Sequence, residues 1–200
     1  MIPLPSQLHG QSDVQGLSPH FATLPSRLWW GWETLSEPTT VDLLWQFPSG
    51  EVKEIVNYPD SMIHFHYILA GRGQLRLRHA RYDVESGSAF LIVAPEYFSF
   101  GPHPQAPPVF CESLTIAVSG GSALVDIAQE MLAMHGPVFT LADTHPAVMA
   151  LCACISLAAQ RQLTDQTTMA MAILPIILAL NTEVPANARA HSPSRMSWPI

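Results

Sequence analysis

A mainly β chain, built as a small barrel or sandwich and followed by about three α-helices, is what this sequence predicts. Three observations carry the prediction. Between residues 27 and 118, short β-branched and aromatic runs alternate with Pro, Gly and Ser turns at close spacing, the pattern of an all-β sandwich or barrel. At Ser119-Gly120-Gly121-Ser122 the character changes, and apolar residues then recur at helical spacing. The 200 residues are 48% hydrophobic and 12% charged, which is globular and long enough to bury a sizeable core.

Residues 1–25 are rich in Pro, Gly, Ser and Gln and form an arm, disordered alone or docked on the rest. Arg27–Thr34 and Thr40–Phe47 are aromatic and β-branched enough for strands, Pro48-Ser49-Gly50 is a turn, and Glu51–Tyr58 is a further strand before the turn at Pro59-Asp60-Ser61. From His64 to Pro95 three strands are expected. The first runs into Gly71-Arg72-Gly73, the second alternates apolar and basic residues, and the third follows Gly87 and stops at Pro95. Glu96–Pro108 holds four prolines and is expected to be irregular, and Val109–Val118 is the last strand. Ala123–His135 is a helix, capped by Ser122 and ended by Gly136-Pro137. A second helix starts near Asp143 or Thr144 with Pro146 in its first turn and runs to about Gln162. A third runs from Thr164 or Asp165 to about Leu180, kinked at Pro175. The plan is therefore arm (1–25), β-barrel (26–119), helical segment (120–182) and linker (183–200).

Charge and cysteine content narrow the function. A formal net charge of -7 argues against a chain that itself wraps nucleic acid, which needs clustered Lys and Arg. Four of the nine basic residues lie between Arg72 and Arg81, but Arg76 and Arg78 alternate with Leu75 and Leu77 as on a strand with one solvated face. Cys111, Cys152 and Cys154 are an odd, sparse set that implies no disulfide framework. The N-terminus lacks the basic region of a signal peptide, and no apolar run is long enough to span a membrane, so a cytoplasmic location is expected.

Four pieces carry a family likeness. His66-Tyr67-Ile68-Leu69-Ala70-Gly71-Arg72-Gly73 is followed by the Gly87 turn with Phe90-Leu91-Ile92-Val93-Ala94-Pro95. Further on come the Gly101-Pro102-His103-Pro104 loop and Ser119-Gly120 entering the helices. Over roughly residues 25–180 the chain resembles the cupin-like β-barrel (jelly-roll) sensor half of AraC-type transcription regulators. The resemblance implies an effector-binding and dimerisation domain, not an enzyme, with no cofactor. It implies a small-molecule effector in the barrel, a homodimer formed through the C-terminal helices, and no direct contact of this chain with nucleic acid or membrane. A DNA-reading helix-turn-helix part is expected after the linker, about where this chain ends.

Each candidate chemistry has a plainer alternative. Metal-binding cupins are similar to one another in a His-x-His, a Glu about four residues on and a distant His. His64 and His66 share a strand face, but position 70 is Ala70, and only His103 lies near the distant position, offset in a Pro-rich loop. Two imidazoles are fewer than the three protein ligands of an ordinary mononuclear catalytic site. A metal-dependent cupin enzyme, a dioxygenase or isomerase using His64 and His66, is the alternative function, and a barrel filled by its own side chains is a third. No Gly-x-Ser-x-Gly elbow occurs. Phe110, Glu112, Leu114 and Ile116 share a face by alternation, so Glu112 either faces the barrel interior with a partner or is solvated. Trp30 and Trp32 share a face, and an aromatic in a pocket can stack on a flat ligand or simply fill the core. The ligand-facing candidates are Arg27, Trp30, Trp32, His64, His66, Tyr67 and Glu112.

Overall fold

The computed structural model describes residues 8–13, 25–35, 62–93, 96, 98–103 and 110–183. The strands expected at Thr40–Phe47 and Glu51–Tyr58 lie outside the described residues, as does the linker. Among the described residues eight strands and three helices follow in the order β1 (Leu8–Asp13), β2 (Pro25–Leu35), β3 (Met62–Leu77), β4 (Ala80–Glu85), β5 (Ser88–Val93), β6 (Phe98–Pro102), β7 (Cys111–Gly120), α1 (Ser122–His135), β8 (Val138–Thr140), α2 (Pro146–Ala159) and α3 (Gln166–Glu183). All described pairings are antiparallel. The main sheet runs β1-β2-β7-β3-β5-β8, and β4 and β6 flank the far half of β3. This is a cupin-like jelly roll with helices after it. Among the described strands the sheet is an open path, not a closed ring.

β3 is the spine. Met62–Gly71 pairs with β7 and Ile63–Tyr67 also with β5, whereas Arg72–Leu77 pairs with β4 and Gly73–Leu77 with β6. The sequence predicts a strand end at Gly71-Arg72-Gly73. The chain instead continues through it, with a register shift between Ile68 and Ala70 that is the bulge signalled by the glycines. Gly71 has φ 81, and a Cβ there would sit 2.1 Å from the Phe110 carbonyl oxygen, so only glycine lets the bent strand approach β7 this closely. The bulge carbonyls are not lost: Ser86 Oγ donates to Leu69 O at 2.8 Å and Gly87 N to Ile68 O at 2.9 Å. The hairpin turn falls later, at Arg78-His79.

Three strands, β1, β6 and β8, are not expected from the sequence. β6 lies inside the region expected to be irregular, with Phe98 and Phe100 buried opposite Leu77 and Leu75. β8 is only three residues long and follows α1, pairing Val138 with Phe90 and Phe139 with Ala89. Leu8–Asp13, within the expected arm, runs along Trp32–Arg27 as an edge strand.

The helices need two corrections, both at N-caps. The N-cap of α1 is Gly121, in a left-handed conformation with no side-chain cap bond, and Ser122 is already helical. Gly136 ends that helix as expected, its N–H on the Leu132 carbonyl. The N-cap of α2 is His145, whose side chain accepts from Ala147 N, with Pro146 in the first turn. α3 runs through Pro175 without interruption. Pro175 and Met171, whose carbonyl the proline leaves without a helical donor, are both exposed, where water can serve that carbonyl.

Alternation on the strands builds two cores from one sheet. Leu28, Trp30, Ile63, Phe65, Tyr67, Leu114, Ile116 and Val118 lie together with the apolar faces of all three helices. The opposite face carries Ile68, Phe90, Ile92, Cys111 and Val138 against Leu75, Val84, Phe98 and Phe100 of the second layer. One face is thus a helix platform and the other the inside of the jelly roll.

Candidate functional site

β7 shows how the two faces differ. Its helix side is Leu114, Ile116 and Val118, all large, and its inner side is Ser113, Thr115, Ala117 and Ser119, all small. Directly across the inner side stand His64, opposite Ala117, and His66, opposite Thr115. Gly31 and Trp29 on β2 continue these two rows, opposite Thr115 and Ala117. Among the described residues the buried polar side chains are His64, His66, Ser88, Ser113, Thr115, Ser119 and Gln166. All but Gln166 lie on inner-facing strand positions by register, so buried polarity is concentrated inside the jelly roll.

The histidines sit in an aromatic setting. His66 stacks on Phe90 with ring centroids 4.3 Å apart, and the edges of Phe98 and Phe100 approach at 6.0 and 5.7 Å. His64 meets Phe98 edge-on at 5.0 Å and lies 6.5 Å from His66, nearly parallel to it. His66 Nδ1 is 2.9 Å from Thr115 Oγ1, and its Nε2 is buried with no hydrogen-bond partner among the described residues. Burial pushes the His64 pKa down to about 4. His66 is held well below the usual imidazole range, first by burial and then by the neighbouring His64. Both imidazoles are therefore neutral at neutral pH.

Trp30, Trp32, Tyr67 and Glu112 lie away from this pair. Trp30 and Tyr67 belong to the helix-side core, and Trp32 packs against it. The Trp32 indole donates to Glu112 Oε1 at 2.6 Å, so two sequence-derived candidates meet and Glu112 has its partner. Trp32 shares the row of Leu114 and Tyr67, and Glu112 lies next on the same face, near the start of β7. The Tyr67 phenol is pushed up by burial, then by the Asp143 carboxylate and Cys152 beside it, which puts the hydroxyl among residues before and within α2. Arg27 is exposed, with its guanidinium 5.4 Å from the centre of the Trp29 ring. The seven candidates thus divide: His64 and His66 inside, Trp30, Trp32, Tyr67 and Glu112 on the helix side, Arg27 at the margin.

Sequence reasoning passes over Thr115 and the aromatic trio Phe90, Phe98 and Phe100. The signal for Thr115 is present in Ser113-Leu114-Thr115-Ile116-Ala117-Val118-Ser119, where small and large residues alternate strictly. As for metal, the described residues contain no cluster of three or more His, Cys, Asp and Glu able to hold an ion. His103 instead faces Asp83, with Nε2 3.3 Å from Oδ1. Cys111 and Cys154 are pushed up to about 12 by burial, Cys111 also by Glu112, which suits packing and not nucleophilic attack. No helix of the described residues is long and apolar enough to cross a membrane.

A jelly roll with a polar, aromatic interior and a helical layer on its outer face defines a small-molecule-binding module. Residues 59–174, more than half of the chain, match the family model described as the AraC-like ligand binding domain. The chain belongs to that family and contains an effector-sensing domain of the AraC type. Among solved structures it is similar to the AraC-like transcriptional activator CuxR, at 10% sequence identity and a TM-score of 0.42, covering 89% of this chain and 63% of that one. The chain thus spans less than two thirds of that protein's length. No curated protein matches it.

Proposed function

We propose that this chain senses a small effector held on the inner face of the jelly roll, and that its helices pass the bound state to DNA-reading units of a transcription regulator. The observation that carries the reading is the concentration of buried polar side chains, His64, His66, Ser113, Thr115 and Ser119, on the inner face, whereas the opposite face of the same strands carries Leu28, Ile63, Phe65, Leu114, Ile116 and Val118. Interiors place polar groups where something must be hydrogen-bonded. The sheet is the wall between effector and helices. A shift of β7 that adapts Thr115 to a ligand moves Leu114 and Ile116 on the opposite side, against α1–α3. An effector with higher affinity for one arrangement shifts the population toward it.

On this reading His64 and His66 touch the effector, whereas Trp30, Trp32, Tyr67 and Glu112 belong to the transmission side and Arg27 to the rim. The module binds and does not turn over its ligand. Its oligomer is a homodimer through the helices: Met149 of α2 and Met171 and Leu178 of α3 are exposed by 62%, 65% and 43%, and neither helix carries a charge before Glu183. Contact with nucleic acid falls to another part of the regulator, and the working compartment is the cytoplasm. The test is a small-molecule thermal-shift screen of the chain beside its His66→Phe and Trp32→Phe variants. Stabilising compounds should lose their effect in His66→Phe and keep it in Trp32→Phe. The reverse pattern moves the site to the helix side of the sheet.

A further inference from the structure

The interior also restricts what the effector can be. His66 brings one free polar atom to it, Nε2, buried and without a hydrogen-bond partner among the described residues. A buried nitrogen left in that state is costly, so it marks a place where a ligand atom belongs. The other ring nitrogen and the Thr115 hydroxyl are already committed to each other. Depending on the tautomer, Nε2 either donates or accepts, and a hydroxyl group can answer both, whereas a carbonyl answers only one. The surroundings are Phe90, Phe98 and Phe100, packed face and edge around the imidazole. Aromatic rings in this geometry accept another flat ring and offer nothing to the many hydroxyls of a polyol. No Asp, Glu, Lys or Arg is among the buried side chains of the described residues, so a charged ligand would lie there without a counter-charge. Gly31, Ala117 and Ser113 keep the adjacent floor low.

We propose that the effector is an uncharged aromatic compound with a single hydroxyl group, a phenol in chemical class, whose ring packs on the aromatic side chains around His66 and whose hydroxyl pairs with His66 Nε2. This rests on the reading of the inner face as the effector site.

Calorimetric titration of the full chain with p-cresol, toluene, 4-methylbenzoate and glucose tests it. The wild-type chain is expected to prefer p-cresol over toluene by about tenfold or more, the worth of one buried hydrogen bond, and to bind the other two more weakly still. In His66→Phe the preference for p-cresol should fall to about one while toluene still binds. His66→Leu, which also removes the ring nitrogen, should do the same and serves if His66→Phe does not fold. Tighter binding of 4-methylbenzoate or glucose that is lost in these variants overturns the phenol assignment and leaves the inner site standing. Binding of p-cresol that is equal in all three proteins overturns the inner site itself. Absence of binding by all four compounds also overturns the assignment.

Discussion

On the proposed reading His66 and His64 touch the effector, and their burial gives the fold a pH signature. In the unfolded chain each imidazole has a pKa near 6.5, whereas in the fold His64 lies at about 4 and His66 well below 6.5. Between those values the unfolded chain binds more protons, so stability rises with pH there. Stability is complete above about pH 6.5 and falls as pH drops toward 4. The loss from His64 alone is at most roughly 3 kcal/mol, the free energy of displacing its protonation from 6.5 to about 4. Thermal melts from pH 7.5 to 4.5 should show this slope, and His64→Phe should flatten it; an unchanged slope would place the titrating groups elsewhere. A second residue-scale prediction concerns Trp32 and Glu112. A double-mutant cycle of Trp32→Phe and Glu112→Ala, read by urea denaturation, should give a coupling of about 1–2 kcal/mol for this half-buried hydrogen bond. Residue-level legibility is uneven. His64 and His66 stand out because a two-residue step on a strand puts both on one face. The face of Glu112 stays open because alternation gives parity, not which parity is inside. Only the β7 pairing, with Leu114 and Ile116 in the helix-side core, decides it.

At the scale of elements, β3 and the helices follow different rules. The bend of β3 needs a left-handed residue beside the Phe110 carbonyl, so Gly71→Ala should cost about 2 kcal/mol or more in urea denaturation. A neutral result would mean that β3 and β7 do not approach there. Leu151 on α2 is fully buried between helices and sheet, and Leu151→Ala should lose about 2–5 kcal/mol, while exposed Met149→Ala on the same helix stays within about 0.5 kcal/mol. The helices are legible as elements because their apolar spacing is strong, but their caps are not. Ser122 has the chemistry of a cap, yet the preceding Gly121 can take the left-handed turn that leaves β7, and the cap position falls there. β6 and β8 escape notice because a five-residue strand among prolines and a three-residue strand after a helix have little local signal. Phe98 and Val138 become strand residues through their pairing with β3 and β5.

In the whole molecule, the mainly β architecture with three following helices is readable from turn spacing and from the change at Ser119, since both are properties of long windows. The division into two cores is not, because it depends on which strands become neighbours. On the proposed reading that division separates two roles, effector inside and communication outside. The helix side should also hold the second copy. Met149→Glu with Met171→Glu should turn a dimer into a monomer in analytical ultracentrifugation without lowering the melting temperature by more than a few degrees. A wild-type monomer at tens of micromolar would rule the dimer out.

The central claim, that the effector is received on the His64–His66 face, is tested most directly by nuclear magnetic resonance. The histidine ring nitrogens and tryptophan indole N–H groups report on opposite faces of one sheet. The compound that stabilises the chain most in a thermal screen would be titrated while both sets are followed. Large, saturable shifts are expected at His66 and His64, with smaller shifts at the Trp32 indole that saturate at the same concentration. Saturable binding that leaves both imidazoles unmoved would contradict the claim.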